Sequence, residues 1–248
     1  MAVLAAVASS ARAVVQARAA GPSVQSMVVG RGGAILSGPR TVSASAAVVR
    51  VGSRRCSVAA STPLAVLAAL GSGAGGGGGL RFSLHDYGRC GAAPQDAGQL
   101  FVYQVGAERN RGQSGWEYKV GHVSGTTGAA DTSGAQGNGR LLSYGERVLW
   151  FWCTAMAGGC QRTLDVTPSA AVVAPGASFT VRVDGYLNNG RGARIAGATV
   201  TLGSGRKRGV TGRDGVARLV APKARGTYVL RASAPGTVPA FPETIVVR

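Results

Sequence analysis

The chain has 248 residues, 45% of them hydrophobic, with 40 Gly and 10 Pro. That is enough apolar material for a core, and it stays below the Gly and Pro share of about 25–30% that marks low-complexity chains. The formal net charge is +17, with two His and ten acidic residues, an acid–base inventory too thin to favour an enzyme. No apolar run approaches the roughly 18 residues of a membrane-spanning helix.

Residues 1–45 read as a signal-like or poorly ordered segment. Residues 2–8 are apolar and lead into Ser9, Ser10, Ala11, Arg12 and Ala13, a small-residue stretch with Ala-x-Ala spacing. The basic residues that precede such a run in a secretory signal are missing, and a frayed Ala-rich helix is the alternative. Residues 27–36 suggest a weak edge strand. From residue 46 the pattern changes. Residues 48–51 and 56–59 flank a Gly-Ser-Arg-Arg turn and predict a hairpin. Thr62 and Pro63 suit the N-cap and first position of a helix over 62–70, which Gly71 stops. Residues 75–79 read as a flexible glycine loop. Strand-like pieces follow at 80–84, 100–105 and 116–123, then a Gly-, Ser- and Thr-rich loop over 124–139. Val148, Leu149, Trp150, Phe151 and Trp152 read as a buried, aromatic strand.

Residues 161–168 form the predicted boundary. Beyond it, short alternating strands at 163–167, 178–184, 198–202, 207–211, 215–220, 227–233 and 244–247 are punctuated by Gly, Pro and Asn, the pattern of a sandwich. Asp214-Gly215 reads as a hairpin turn.

Cys56, Cys90, Cys153 and Cys160 allow three pairings. The short Thr-Ala-Met-Ala-Gly-Gly loop between Cys153 and Cys160 closes easily, which favours that pair and leaves Cys56 with Cys90. Disulfides persist outside the cytosol and point to export; four buried thiols in a cytosolic protein are the alternative. No Cys-x-x-Cys occurs, and only His85 and His122 could complete a metal sphere, so neither a metal nor another cofactor is expected. The Gly-x-Gly-x-x-Gly string at 71–76 follows a helix instead of a strand, which is the wrong context for a dinucleotide site.

Apart from Lys119, Lys207 and Lys223, the 27 basic residues are all Arg. They are scattered, with one short run at 206–208, and no nucleic-acid motif accompanies them, so nucleic acid is not an expected partner. The charge suits a cell-wall or other anionic surface polymer. A solvated, Arg-rich surface from GC-rich codon usage is the competing explanation.

The segment Gly115-Trp116-Glu117-Tyr118-Lys119-Val120, followed by Gly145-Glu146-Arg147-Val148-Leu149-Trp150-Phe151-Trp152, resembles the transcobalamin-like C-terminal domain of exported bacterial proteins. That resemblance covers about 46–160 and implies a β-grasp, ubiquitin-like fold. Two departures stand out: the family's Asn-Gly is Gly121-His122 here, and its Gly-Asp is Gly145-Glu146. In the vertebrate carriers the domain covers a corrinoid together with a large helical domain, which this chain lacks. Ala196-Gly197-Ala198-Thr199-Val200, Thr211-Gly212-Arg213-Asp214-Gly215 and Gly226-Thr227-Tyr228 resemble bacterial Ig-like and carboxypeptidase-regulatory-like surface modules. Gly158-Gly159-Cys160-Gln161-Arg162 weakly resembles the L,D-transpeptidase motif, with Gly158 where the family has its His.

The expected architecture is thus an α+β β-grasp domain over 46–162 and an all-β Ig-like sandwich over 163–248. The expected role is that of an exported, non-enzymatic protein that binds or scaffolds at the cell surface. One alternative is a small-ligand site, for a corrinoid or a glycan, on an aromatic face made by Trp116, Tyr118, Trp150 and Trp152. Another is a cysteine-dependent wall enzyme using Cys160.

Overall fold

Residues 20–43, expected to be poorly ordered apart from a weak edge strand over 27–36, supply two strands of a five-stranded sheet, one at its edge and the next inside it. This is seen in a computed structural model that describes residues 20–71, 79–205 and 207–248; the signal-like run at 2–8 and the glycine string at 72–78 lie outside the described residues. Strand β1 (Ser23–Val29) pairs antiparallel with β2 (Ile35–Ser43) and parallel with the aromatic strand over Arg147–Cys153. The partner that stabilises β1 lies more than a hundred residues downstream, and its apolar residues are buried on both faces, so local alternation does not reveal it.

The hairpin of β3 (Ala47–Val51) and β4 (Arg54–Val58) turns at Gly52, φ +61°. Helix α1 (Pro63–Gly71) follows. The Thr62 hydroxyl accepts from the Ala65 N–H at 3.3 Å, which caps the helix. Pro63, Leu64, Ala65, Val66, Leu67 and Leu70 are all buried, so the helix is wrapped by other elements instead of lying on the surface. Strands β5 (Phe82–Asp86), β6 (Leu100–Val105) and β7 (Glu108–Arg109) make a small antiparallel sheet. The single strand expected at 116–123 breaks at Gly121, φ +60°, into the hairpin of β8 (Gly115–Val120) and β9 (Val123–Ser124). With β10 (Arg147–Cys153), the main sheet has the order β2-β1-β10-β8-β9.

Both faces of that sheet are covered. Val24, Val28, Trp116, Tyr118, Trp150 and Trp152 pack with α1 and with the buried residues of β3 to β6. On the other face Met27, Val29, Leu149 and Phe151 pack with the Cys153–Cys160 disulfide and with Val238 and Phe241 from the C-terminal half.

The C-terminal half is all β among its described residues. Its strands are β11 (Thr163–Pro168), β12 (Val172–Val173), β13 (Ser178–Tyr186), β14 (Gly192–Arg194), β15 (Thr199–Leu202), β16 (Lys207–Val210), β17 (Val216–Val220), β18 (Gly226–Ser233) and β19 (Glu243–Val247). One sheet joins β11, β13, β14 and β17; the other runs β12-β19-β18-β15-β16. Alternation on β13 sends Phe179, Val181 and Val183 into the core between them. The Asp214-Gly215 turn departs from expectation. Gly215 has φ +72°, and the Gly212 N–H donates to the Val216 carbonyl at 3.0 Å. The strands on either side belong to different sheets, however: β16 pairs with β15 and β17 with β13. The turn therefore carries the chain across the sandwich instead of closing a hairpin.

Candidate functional site

Trp116, Tyr118, Trp150 and Trp152 share one face of the main sheet, with Trp150 opposite Tyr118 and Trp152 opposite Trp116. All four are buried, so the aromatic face expected to meet a ligand is not open to solvent. Helix α1 and the loop after β9 cover it. The polar atoms of three rings are committed inside the protein. Trp116 Nε1–H donates to the Glu108 carbonyl at 2.9 Å, the Tyr118 hydroxyl to the Thr127 carbonyl at 3.0 Å, and Trp150 Nε1–H to the Pro63 carbonyl at 3.3 Å. Trp152 meets Trp116 edge-on and lies under the Arg31 guanidinium, 4.5 Å from its ring centre.

A cavity of about 300 Å³ remains beside these rings, walled by Trp116, Tyr118, Trp150, Phe101 and residues 125–129. The loop approaches so closely that a side chain at Gly125 would collide with the Tyr118 ring, and Leu64 N–H on α1 donates to the Ala129 carbonyl at 2.8 Å. Burial pushes the Glu117 carboxyl above the usual carboxylate range. Burial also raises the Tyr118 phenol, opposed by the Thr127 side chain. The volume sits at the lower end of ligand pockets, which run from about 300 to 1,000 Å³. It suits one sugar-sized ring and is far too small for a corrinoid.

The disulfides are Cys56–Cys90 and Cys153–Cys160. Cys160 therefore carries no thiol, which removes the nucleophile of the enzymatic alternative. His122, its only conceivable base, stacks instead on Tyr186, with ring centres 3.7 Å apart, and lies 4.0 Å from Asp165. Among the described residues no three His, Cys, Asp or Glu side chains gather at a metal-sized site.

Sequence reasoning missed a second aromatic group. Alternation on β5 and β6 turns Leu84, Leu100 and Val102 inward, and leaves His85, Tyr87, Phe101 and Tyr103 on the outer face. The signal was present as His85-Asp86-Tyr87 and Phe101-Val102-Tyr103, two aromatic pairs at period two.

Lys119 lies on the opposite face of β8 and is fully buried. Its ammonium donates to the Thr163 hydroxyl and to the carbonyls of Tyr186 and Leu187, at 3.0–3.1 Å. Desolvation, with the Arg162 charge, lowers its pKa to about 8. Nearby, Arg147 of β10 is ion-paired with Asp165 and Glu243 and lies over the Phe241 ring.

No family model matches the chain, and no curated protein matches it. The resemblance to the transcobalamin-like domain thus gains no support from these comparisons. A solved structure described as the D00-D0 domain of Intimin is similar to it, with 14% identity over 60% of this chain and 90% of that one, at a TM-score of 0.27. A score that low carries no argument about fold or function.

Proposed function

We propose that the chain is an exported, non-enzymatic binding protein of the bacterial cell surface. In this reading a β-grasp unit spans residues 20–162 and an Ig-like sandwich spans 163–248. The β-grasp assignment is supported by the parallel pairing of β1 with β10 at the centre of the sheet, flanked by β2 and by β8, with α1 packed on one face. The Ig-like assignment is supported by two sheets enclosing one core. Apolar contact and the Lys119 hydrogen bonds hold the two units together as one body.

The observation that supports export is the pair of disulfides, because cystines persist outside the reducing cytosol. Labelling intact host cells with an impermeant amine reagent tests it. Labelled protein with no alkylatable thiol supports export. Unlabelled protein with four free thiols rejects it.

The cavity beside Trp116, Tyr118 and Trp150 favours a second reading, in which a monosaccharide-sized ligand enters between β6 and the 125–129 loop. Tryptophan fluorescence, titrated with neutral and acidic monosaccharides, would change on binding in the intact chain. A flat response across the series rejects this second reading.

A further inference from the structure

We propose that the outer face of the β5–β6–β7 sheet is a stacking site for an anionic polysaccharide, a proposal that rests on the surface-binding reading above. The four rings form one continuous strip. His85 stacks on Tyr103 with centroids 4.1 Å apart at 24°; His85 and Tyr87 are 6.2 Å apart, and Tyr87 and Phe101 6.0 Å. Tyr87 is 72% exposed and Phe101 42%. Buried tyrosines and tryptophans normally find partners for their polar atoms, as Trp116, Tyr118 and Trp150 do. The hydroxyls of Tyr87 and Tyr103 have none among the described residues and are free to meet a ligand.

A positive charge lies against this strip. The Arg109 guanidinium lies 5.0 Å from the centre of the Tyr103 ring, and Arg89 is exposed two residues beyond Tyr87. Three acids are close in sequence: Asp96, five residues before Phe101, is exposed, while Asp86 and Glu108 are engaged by other groups. Asp86 is turned inward, its side chain 1% exposed, and is paired with Arg54 at 2.9 Å. Glu108 accepts from the Arg31 N–H at 2.7 and 3.0 Å.

The strip is also held rigid. The Asp86 carboxylate accepts from the N–H groups of Gly88 and Cys90 at 2.9 and 3.0 Å, the Tyr87 N–H donates to the Gln99 carbonyl at 3.3 Å, and Cys90 is bonded to Cys56. The segment carrying Tyr87 and Arg89 is thereby fixed before any ligand arrives, which lowers the ordering cost of binding. A pyranose offers a C–H face to an aromatic ring and a polar rim to hydroxyls and guanidinium groups. A carboxylate or phosphate on that rim answers Arg89 and Arg109. Single-stranded nucleic acid also stacks on aromatic platforms. The rings here are tilted by 45° and 52° along the Tyr87 side, which follows puckered sugars better than a ladder of flat bases.

The test is calorimetric titration of the purified, oxidised full chain with oligogalacturonate, neutral cello-oligosaccharide and oligo(dT). Oligogalacturonate should bind best. Tyr87→Ala and Phe101→Ala should each weaken it about tenfold, and Arg109→Gln should weaken it and flatten its salt dependence. Tyr87 is the cleaner probe, because Phe101 also borders the cavity. Tyr144→Ala, at a residue 84% exposed outside this cluster, should change nothing. No binding of oligogalacturonate, equal binding of the neutral glycan, tighter binding of oligo(dT), or full affinity in Tyr87→Ala would each overturn the proposal. If the chain still binds bacterial cell wall in that event, the surface-binding reading survives without this site.

Discussion

Lys119 of β8 donates to the Thr163 hydroxyl of β11 at 3.1 Å, a buried hydrogen bond that ties the N-terminal unit to the first strand of the sandwich. The same ammonium satisfies the carbonyls of Tyr186 and Leu187 and has no carboxylate partner among the described residues. Its charge is therefore held at a cost, which is why the pKa falls to about 8.

That cost makes stability depend on pH. The unfolded chain keeps the ordinary lysine pKa of 10.5, so between about 8 and 10.5 it binds more protons than the folded protein. Stability must then rise with pH across that window. Urea denaturation at about pH 7.5, 8.5 and 9.5 should show the rise in the native protein and a flat response in Lys119→Met. The variant should also lose about 1–3 kcal/mol at neutral pH, because it strands buried carbonyl acceptors.

His122 titrates in a lower window. Burial lowers its pKa from 6.5, with the Asp165 charge opposing. The folded protein therefore holds the ring neutral where the unfolded chain has begun to protonate. Stability contributed here is complete above 6.5 and is lost as pH falls below it toward the folded value. His122→Phe keeps a ring against Tyr186 and should remove this acid-side slope, as read by thermal unfolding across the same range.

The two disulfides should differ in worth. They close loops of 34 and 7 residues in sequence separation, for which chain entropy gives about 4 and about 2.5 kcal/mol respectively. Removing Cys56 and Cys90 together as Ser should cost more stability than removing Cys153 and Cys160. It should also loosen the Tyr87 segment, seen as faster amide exchange at residues 86–90.

Trp150 is buried against α1 and borders the cavity. Trp150→Ala should destabilise the chain by about 3–5 kcal/mol. Tyr87→Ala, at an exposed site, should leave stability within about 0.5 kcal/mol. Chemical denaturation of the pair separates a packing aromatic from a contact aromatic.

Elements whose stability is local were legible in the sequence. Thr62-Pro63 announced α1, and alternation in Phe179, Val181 and Val183 announced β13. Strand β1 was not, because Met27 and Val29 are buried by Phe241 and Val238 from the far end of the chain. The same limit applies to the site. Trp and Tyr at strand period indicate a shared face, and the pattern does not say what covers it: α1 is distant in sequence, and residues 125–129 fold back over β8 from a loop without periodicity. The exposed rings of β5 and β6 carried as good a periodic signal, and it was outweighed by the richer tryptophan pattern of β8 and β10.

The most direct measurement of surface binding is a pull-down of the purified, oxidised full chain on isolated bacterial cell wall, at low and at high salt. Capture at low salt is expected, weakening as ionic strength rises without being abolished, because ring stacking persists when charge is screened. Absence of capture at both salt concentrations, or its complete loss at high salt, would contradict surface binding through the exposed rings.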